Sequence, residues 1–545
     1  MRLDNKPEGL RQAMSWLHTW SGLILGWVLF AVFLLGTFSY VRDEISVWMK
    51  PEIHRSQTTM ETPDRALATL ARIAPDAEVW TVALPTERDP SVEATWRNPG
   101  APAGREGLKR VTLDAATGEE LQPRATRGGD FLYRFHFEFY GMPRIWARWI
   151  VGIATMFMLV AIVTGVVVHK KIFSDFFTFR PRKGQRSWLD GHNATAVLAL
   201  PFNFLITFSG LLLLMYQLMP AAIDAAYKGD SRAFFNERRV AAPPVTVPQH
   251  PVQTPTPSSD ALRLMWADAG GLWQGSPVGQ MVINRKDGNS RSVELREAYG
   301  QSLTDRGVSR RATYDAVTGE RLAVGATTEP SAAAATYNVF ASLHLGRFAD
   351  LPVRWLLFLS GIVGSFMVAS GMILWVVKRL PERKKLGKTP YGHRLVEMLN
   401  VAGLAGLMLA VAGYLWMNRL VPANLGGRAD VEIQGFFYIW LATFVYAVFR
   451  SHRQAWIELL GLSALAWLLL PVLNGVTGGL ALPSSLLLGV WSVAGLDLCA
   501  LAIGATLAFV VYKLVRHVPA GVKRPVVKAK PVESADVATT TVQVG

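Results

Sequence analysis

The chain has 545 residues, of which 50% are hydrophobic and only 18% are charged, and its formal net charge is +15. A soluble protein of this size has nearer a quarter of charged residues, so the composition favours a membrane protein. The single cysteine, Cys499, excludes a disulfide within the chain and a metal site built from several thiolates.

Long apolar runs recur along the chain, and they reach the length of about 20 residues that a helix needs to cross a bilayer. They predict a polytopic α-helical membrane protein with about eight transmembrane helices. The predicted spans are 16–40, 147–168, 194–216, 354–377, 395–416, 434–449, 455–473 and 486–512.

Basic residues are concentrated in short segments between spans, above all in 169–193 and 378–394. Cytoplasmic loops of membrane proteins have this charge pattern, which explains the positive charge without a nucleic-acid partner. Both termini are therefore predicted to be cytoplasmic. The first apolar run is too long for a signal peptide and no small-residue cleavage site follows it, so it is predicted to be an uncleaved anchor.

The spans divide the chain into two similar units and one further block of helices. Each unit has a helix, a large outer loop that is predicted to form an α+β lobe, and a second helix. The predicted division is a cytoplasmic N-terminus 1–15, a first unit 16–168 with its lobe 41–146, a basic loop 169–193, a second unit 194–377 with its lobe 217–353, a basic loop 378–394, a four-helix block 395–512 and a disordered cytoplasmic tail 513–545.

The two units are predicted to be copies of one another. Their loops contain the related segments "VTLDAATGEEL" and "ATYDAVTGERL", each of which predicts a strand, a D-x-x-T-G turn and another strand. In the membrane, Gly36 and Gly210 are separated by the same number of residues as His18 and His192. Gly165 matches Gly371 near the ends of the second and fourth spans. A parallel repeat of this kind predicts a pseudo-twofold axis along the membrane normal.

Four histidines occupy matched positions in the two units. His18 and His192 lie at the inner ends of equivalent helices, and His136 and His344 lie at outer ends. A twofold axis would bring each pair face to face, and two facing imidazoles in a helical bundle can hold haem iron from both sides. A zinc site would need three or four ligands close together. A single boundary histidine is usually an interfacial side chain, but four at matched positions are harder to explain in that way. The residues alone therefore leave both interpretations open: two haem b groups, one near each face, or interfacial side chains.

His169 is a third histidine at the inner edge, and it leaves open which two of His18, His169 and His192 bind the inner haem. It could also contact a haem propionate or lie among the lipid headgroups. The other five histidines fall outside the repeat pattern and are predicted to be surface residues: His54, His250, His393, His452 and His517.

Asp497 lies near the middle of the last predicted span, where a charge is costly and usually functional. It is a candidate intramembrane proton site. The alternative is a protonated carboxyl group that hydrogen-bonds to a neighbouring helix. Glu397 and Glu458 lie near the ends of spans and are predicted to be interfacial.

An ordered set of motifs resembles the PepSY-associated transmembrane family of the bacterial inner membrane. The motifs are "HTWSGLILG", "FHFEFYG", "VTGVVVHKKIFSDFFTFRPRKGQRSWLDGHN" and "SLHLG", together with the two D-x-x-T-G turns, and they cover about 10–380. The resemblance implies a role in iron uptake, since the better-understood members are di-haem reductases that release iron from ferric siderophores. It also implies that His136 and His344 bind the outer haem. The family pattern leaves the block 395–512 unexplained.

These features predict an enzyme that passes electrons across the inner membrane, reduces a periplasmic ferric siderophore or similar ferric chelate, and releases Fe(II). The sequence has no nucleotide-binding fingerprint, so the predicted electron donor is a membrane quinol or another protein. The alternative is a non-enzymatic PepSY-based sensor or regulatory module, or a transporter, in iron uptake.

Overall fold

The computed structural model shows a bundle of long helices with an antiparallel β-sheet at one end. We call the end of the bundle nearest the sheet the sheet side and the opposite end the far side. Most of the predicted basic loop 169–193 and of the predicted tail 513–545 lies outside the described residues. The structure describes residues 9–102, 104, 106–169, 180, 184–230, 233, 245–250, 254–300, 302–304, 309–325 and 330–517.

Several helical segments are long and apolar enough to cross a membrane, which confirms a multi-pass helical membrane protein. Among the described residues there are seven, and a bent pair of shorter helices makes an eighth if it counts as one span. The seven are Leu10–Ser39, Arg144–Val168, Leu351–Leu386, Tyr391–Leu420, Arg428–Phe449, His452–Val476 and Trp491–Arg516.

The helices of the two repeated units include both spans and the shorter helices of the outer loops. In chain order they are α1 (Leu10–Ser39), α2 (Arg42–Trp48), α3 (Thr62–Ile73), α4 (Gly129–Phe137), α5 (Arg144–Val168), α6 (Gln185–Leu198), α7 (Leu200–Leu213), α8 (Met215–Leu218), α9 (Pro220–Ala226), α10 (Ser259–Leu272), α11 (Ala332–Leu345) and α12 (Leu351–Lys378).

The third predicted span, 194–216, is broken in the structure. Helices α6 and α7 meet there at an angle of 66°. Pro201 lies in the first turn of α7, where its missing N–H and its ring are incompatible with a helix that continues from α6. The equivalent helix α1 runs unbroken for 30 residues. The two units therefore differ in the shape of their first span.

The spans of the two units pack on each other in an alternating ring, in which α1 contacts α5 and α12, α12 contacts α6, and α5 contacts α7. Glycines allow the closest approaches. A Cβ atom at Gly361 on α12 would lie 2.4 Å from the Thr37 hydroxyl on α1, and one at Gly152 on α5 would lie 2.6 Å from Leu218. Small residues at helix interfaces are typical of association within a membrane, where backbone proximity replaces the hydrophobic effect.

The two outer loops contribute four strands each to a single eight-stranded sheet. Its order is β4-β3-β2-β1-β5-β6-β7-β8, and β1 pairs antiparallel with β5 across the middle. The prediction gives each loop a lobe of its own, whereas the pairing of β1 with β5 joins the loops and leaves neither strand as an unpaired edge. The strands are β1 (Val79–Ala83), β2 (Val92–Arg97), β3 (Leu108–Leu113), β4 (Glu120–Leu121), β5 (Val278–Lys286), β6 (Asn289–Glu297), β7 (Arg311–Asp315) and β8 (Arg321–Val324).

The two D-x-x-T-G turns have the predicted form, between β3 and β4 and between β7 and β8. The Asp114 carboxylate accepts hydrogen bonds from the backbone N–H groups two and three residues later in the chain, each at 2.9 Å, and Asp315 does the same at 2.8 and 3.0 Å. Gly118 and Gly319 have φ values of 73° and 76°. A residue with a side chain rarely adopts this conformation, so the turn requires glycine.

The four-helix block is attached to both units rather than separate from them. The Trp27 indole on α1 donates to the Asn400 side chain at 3.0 Å, and the Asn400 amide donates to the Met372 carbonyl on α12 at 3.1 Å. The block consists of α13 (Leu380–Leu386), α14 (Tyr391–Asn400), a π-helical turn Val401–Gly406, α15 (Leu407–Leu420), α16 (Arg428–Phe449), α17 (His452–Val476), α18 (Leu482–Leu487) and α19 (Trp491–Arg516).

Candidate functional site

Two of the four matched histidines face each other at the sheet side of the bundle. His136 belongs to α4, the short helix before α5, and His344 belongs to α11, the helix before α12. Their ring centroids are 6.1 Å apart, with the ring planes tilted by 41°. The structure therefore brings together two side chains that are about two hundred residues apart in the chain.

The other two matched histidines face each other toward the far side. His18 lies in the first third of α1 and His192 in the middle of α6. Their ring centroids are 6.3 Å apart, with an angle of 67° between the ring planes. The two pairs have nearly the same separation, although their ring planes are oriented differently.

Each histidine ring is fixed by a hydrogen bond from its Nδ1 atom to a neighbouring helix. His136 bonds to the Val32 carbonyl at 2.6 Å, His18 to the Ala161 carbonyl at 2.9 Å, His192 to the Met367 carbonyl at 2.9 Å and His344 to the Ser209 hydroxyl at 2.8 Å. A carbonyl oxygen only accepts, so in the first three rings Nδ1 carries the proton. In a neutral ring this leaves the lone pair on Nε2, as in most histidines that bind a metal.

A glycine on the neighbouring helix makes room for each ring. A Cβ atom at Gly36 would lie 2.7 Å from the His136 ring, and Cβ atoms at the three other glycines would lie 3.0 to 3.3 Å from the nearest histidine atom. For three rings the carbonyl acceptor lies four residues before that glycine, one turn earlier on the same helix face. The glycine and histidine pairs are Gly36 with His136, Gly210 with His344, Gly165 with His18 and Gly371 with His192.

The pair at the sheet side, His136 and His344, is held in the neutral form. Burial lowers the pKa of His136, and burial together with the neighbouring His136 lowers the pKa of His344 to about 3. A neutral imidazole is the form that binds a metal, because the protonated ring has no lone pair to donate. Both side chains line a cavity of about 740 Å³ that extends from the bundle to the loops of the sheet.

The geometry of each pair fits two ligands of one metal. An imidazole nitrogen binds a first-row metal at about 2 Å, so two rings that share one metal have centres roughly 6 Å apart. Both observed separations, 6.1 and 6.3 Å, agree with that value. Among the described residues no three His, Cys, Asp or Glu side chains are grouped closely enough to hold a metal ion. Two axial histidines with no further protein ligand are the donor set of a haem.

His169 lies at the C-terminal end of α5, where its backbone N–H donates to the Gly165 carbonyl at 3.1 Å. It is therefore one helical turn beyond the glycine that contacts His18. The facing rings toward the far side are those of His18 and His192.

Asp497 does not lie in the middle of its helix as predicted. It is the seventh residue of α19, near the sheet side, and it is fully buried. The Trp48 indole donates to it at 2.8 Å and the Asn474 amide at 3.1 Å. A local stretch of sequence does not indicate these partners, because they come from α2 and α17. The structure shows hydrogen bonds to Asp497 from two neighbouring helices, and its role as a proton site stays a prediction.

His54, predicted to be a surface residue, and Glu397, predicted to be interfacial, are both buried. His54 is 1% exposed, since it follows a short 3₁₀ helix that packs beneath the block. Glu397 is 3% exposed and forms ion pairs with Arg383 and Arg394. Their positions depend on contacts between distant segments, so a short stretch of sequence gave no sign of the burial.

The fold and the two histidine pairs define a class of protein, a multi-pass helical membrane protein with matched paired-histidine sites and one shared sheet outside the bundle. The chain belongs to the family described as "PepSY-associated TM region", whose model matches residues 15–378. This confirms the resemblance predicted over about 10–380. The helices that follow residue 378 lie outside the match. No curated protein matches this chain.

Proposed function

We propose that this protein is a haem-containing oxidoreductase of the bacterial inner membrane, which reduces a periplasmic ferric siderophore or similar ferric chelate. The observation that supports it best is the pair of matched histidine sites, each with Nδ1 bonded to a neighbouring helix and with a separation that suits one iron between two rings. His136 and His344 would bind the outer haem b, and His18 and His192 the inner one.

The arrangement of the two units supports a pseudo-twofold axis through the bundle. The first, second, third and fourth strands of one loop lie as far from the junction of β1 with β5 as the corresponding strands of the other loop do. In the helical bundle, His18 bonds to α5 and His192 bonds to α12. In each unit, the histidine on the first span is therefore oriented by a hydrogen bond to the second span of the same unit. In this proposal both termini are cytoplasmic and the sheet is periplasmic, as the distribution of basic residues predicts.

When bound, the two haems would carry single electrons between a donor, a quinol or a protein, and the ferric chelate. One electron reduces Fe(III) to Fe(II), and hard oxygen ligands hold Fe(II) less tightly because its charge is lower. The chain's own residues orient the imidazoles by their Nδ1 hydrogen bonds and bury them in the bundle. Axial ligands, hydrogen bonds and burial are the means by which a protein sets a haem potential.

The test is the haem content and activity of the purified full-length protein. We expect a reducible b-type spectrum with about two haems per chain. His136→Ala or His344→Ala should remove one haem and abolish the reduction of a ferric chelate, whereas His517→Ala at an exposed position should change neither. Absence of haem after expression with adequate haem supply would refute the oxidoreductase and favour the non-enzymatic alternative. A His344→Ala protein with full haem content would refute the outer pair.

A further inference from the structure

The cavity beside the outer histidines has a positively charged lining on the sheet side. Its charged residues, other than the two histidines, are two aspartates and five arginines. The arginines are Arg42, Arg88, Arg148, Arg347 and Arg354. Glu44 and Glu138 lie outside this lining and form ion pairs with three of the arginines, so the attraction for an anionic occupant depends on the donors that these pairs leave free.

Two of these arginines occupy matched positions in the repeat. Arg148 and Arg354 are separated by the same number of residues as Gly165 and Gly371, and a tryptophan follows each of them. Both lie within the first five residues of their helices, α5 and α12, at the sheet side. The repeat therefore places one guanidinium on each of α5 and α12, the two spans that pack on either side of α1.

Arg148 keeps a buried donor that its protein contacts do not use. Its two terminal nitrogens donate to the Glu138 carboxylate and to the Tyr216 hydroxyl. Its Nε atom is buried and has no hydrogen-bond partner among the described residues. A buried donor without a partner costs about 1–3 kcal/mol, so such a group points to a missing acceptor.

Arg354 shares its only ion-pair partner in the described part of the chain. Its Nη1 atom is 3.4 Å from Glu44, but Glu44 already accepts two hydrogen bonds from Arg88, at 2.9 and 2.7 Å. Arg354 is therefore incompletely neutralised, although its side chain is only 15% exposed. Tyr299 lines the same cavity, and its hydroxyl is buried and has no hydrogen-bond partner among the described residues.

We infer that Arg148, Arg354 and Tyr299 bind the carboxylate groups of the molecule that occupies this cavity beside His136 and His344. Guanidinium groups bind carboxylates in a planar, bidentate way, and a phenol donates to them as well. The inference rests on the proposed function. The carboxylates could be the propionates of the outer haem or the carboxylates of an anionic ferric chelate, and these two sources are distinguishable by experiment.

The variants that test this inference are Arg354→Gln and Arg354→Lys. Glu44 keeps Arg88 as a partner when Arg354 is changed, so both variants are expected to fold. Lysine retains the positive charge but cannot bind a carboxylate in the bidentate way, and glutamine lacks the charge as well. Both variants should therefore weaken carboxylate binding, and Arg354→Gln should weaken it more. Arg321→Gln is the control, since Arg321 on β8 pairs with Asp268 on α10 and does not line the cavity.

Two measurements separate the sources. If the haem supplies the carboxylates, Arg354→Gln should raise the Kd of the haem-free protein for haem b about tenfold or more and leave the Kd for haem dimethyl ester unchanged. If the chelate supplies them, haem binding should be unchanged while KM for ferric citrate rises about tenfold and KM for a ferric trihydroxamate, which has no carboxylate, stays the same.

An Arg354→Gln protein with wild-type haem affinity and a wild-type KM for ferric citrate would overturn the inference. If the wild-type protein binds no haem, the proposed function fails on its own, and the inference is then tested by calorimetry with ferric citrate alone. Binding by the wild type that is lost in Arg354→Gln would support the carboxylate site, and equal affinity of the two proteins, or no binding by either, would refute it.

Discussion

At the scale of single residues, the site depends on which backbone groups the histidines reach. The matched spacing predicted which four histidines belong together, and the structure brings His136 to His344 and His18 to His192. The acceptors of the Nδ1 protons were not predictable, because three of them are carbonyl groups, which every residue carries. The matched glycines were a usable signal, since a residue without a side chain on a helix marks a close approach.

Gly36→Ala tests whether these glycines are required by the rings. The new Cβ atom would lie 2.7 Å from the His136 ring, so the ring must move and its hydrogen bond to Val32 must lengthen. Overpacking of this kind costs about 1–3 kcal/mol, which corresponds to roughly a tenfold or greater loss of haem affinity at the outer pair. The measurement is a haem titration of the purified apoprotein, followed by absorbance.

Gly22→Ala is the matched control for that experiment. Gly22 lies on the same helix, and a Cβ atom there would have nothing within 4 Å. Its replacement should leave both haems at wild-type affinity. If Gly36→Ala binds both haems as tightly as Gly22→Ala does, the glycine is not what positions the ring.

At the scale of elements, helix α16 is attached to the first outer loop by a buried ion pair. Arg428 and Glu432 are one turn apart on α16, contact each other, and are both inaccessible to solvent. Arg428 also donates to the Ala125 carbonyl at 2.9 Å, and Thr126 donates to Glu432. Nothing in a local pattern distinguishes this pair from an exposed one, since its burial depends on the loop that covers it.

Glu432→Gln should destabilise the protein by about 3–5 kcal/mol, because it leaves the Arg428 guanidinium buried without a negative partner. The double change of Arg428→Met with Glu432→Leu should recover much of that loss, since apolar side chains of similar size avoid the desolvation of charge. Thermal or denaturant unfolding in detergent measures both variants.

The exposed ion pair Arg450–Glu458 at the other end of α16 provides the control. Glu458→Gln should leave the unfolding transition where it is, because water solvates both charges after the change. Equal effects of Glu432→Gln and Glu458→Gln would show that α16 is not held by the buried pair.

At the scale of the whole molecule, the four-helix block and the first unit meet at a buried polar contact around His54. Its Nε2 atom donates to the Val47 carbonyl at 2.9 Å, and its Nδ1 atom accepts from the backbone N–H of Leu480 at 3.2 Å, on the connection between α17 and α18. Only a neutral ring can do both. Burial, together with the charge of Arg419, lowers the pKa of His54 to about 4 from an ordinary value of 6.5.

This contact should make stability depend on pH. The unfolded chain takes up the proton below pH 6.5 and the folded one only near pH 4, so the contribution of His54 is complete above pH 6.5 and is lost as the pH falls toward 4. The loss amounts to about 3 kcal/mol. His54→Gln keeps a donor and an acceptor but does not titrate, so its melting temperature should fall less over this range than that of the wild type.

His517→Gln, at an exposed position, is the control for the pH series. Its profile should follow the wild-type profile throughout. Parallel curves for the wild type and His54→Gln between pH 4 and 7 would exclude His54 as the source of the acid sensitivity.

The sequence by itself determined the multi-pass membrane class, the family and the presence of four histidines at matched spacing. These are properties of composition, spacing and motif order, and they do not require knowledge of which segments touch. The D-x-x-T-G turns belong to the same group, because Asp114 and Gly118 form their contacts within a few residues.

Only the tertiary structure decided the joining of the two loops into one sheet, the buried positions of His54 and Asp497, and the placement of Arg148 and Arg354 in the cavity beside His136 and His344. Each depends on contacts between segments that are far apart in the chain. Such contacts are difficult to predict from the sequence, because they are made by backbone groups and by common side chains. The pairing of β1 with β5 is an example, since its hydrogen bonds come from peptide groups that any sequence supplies.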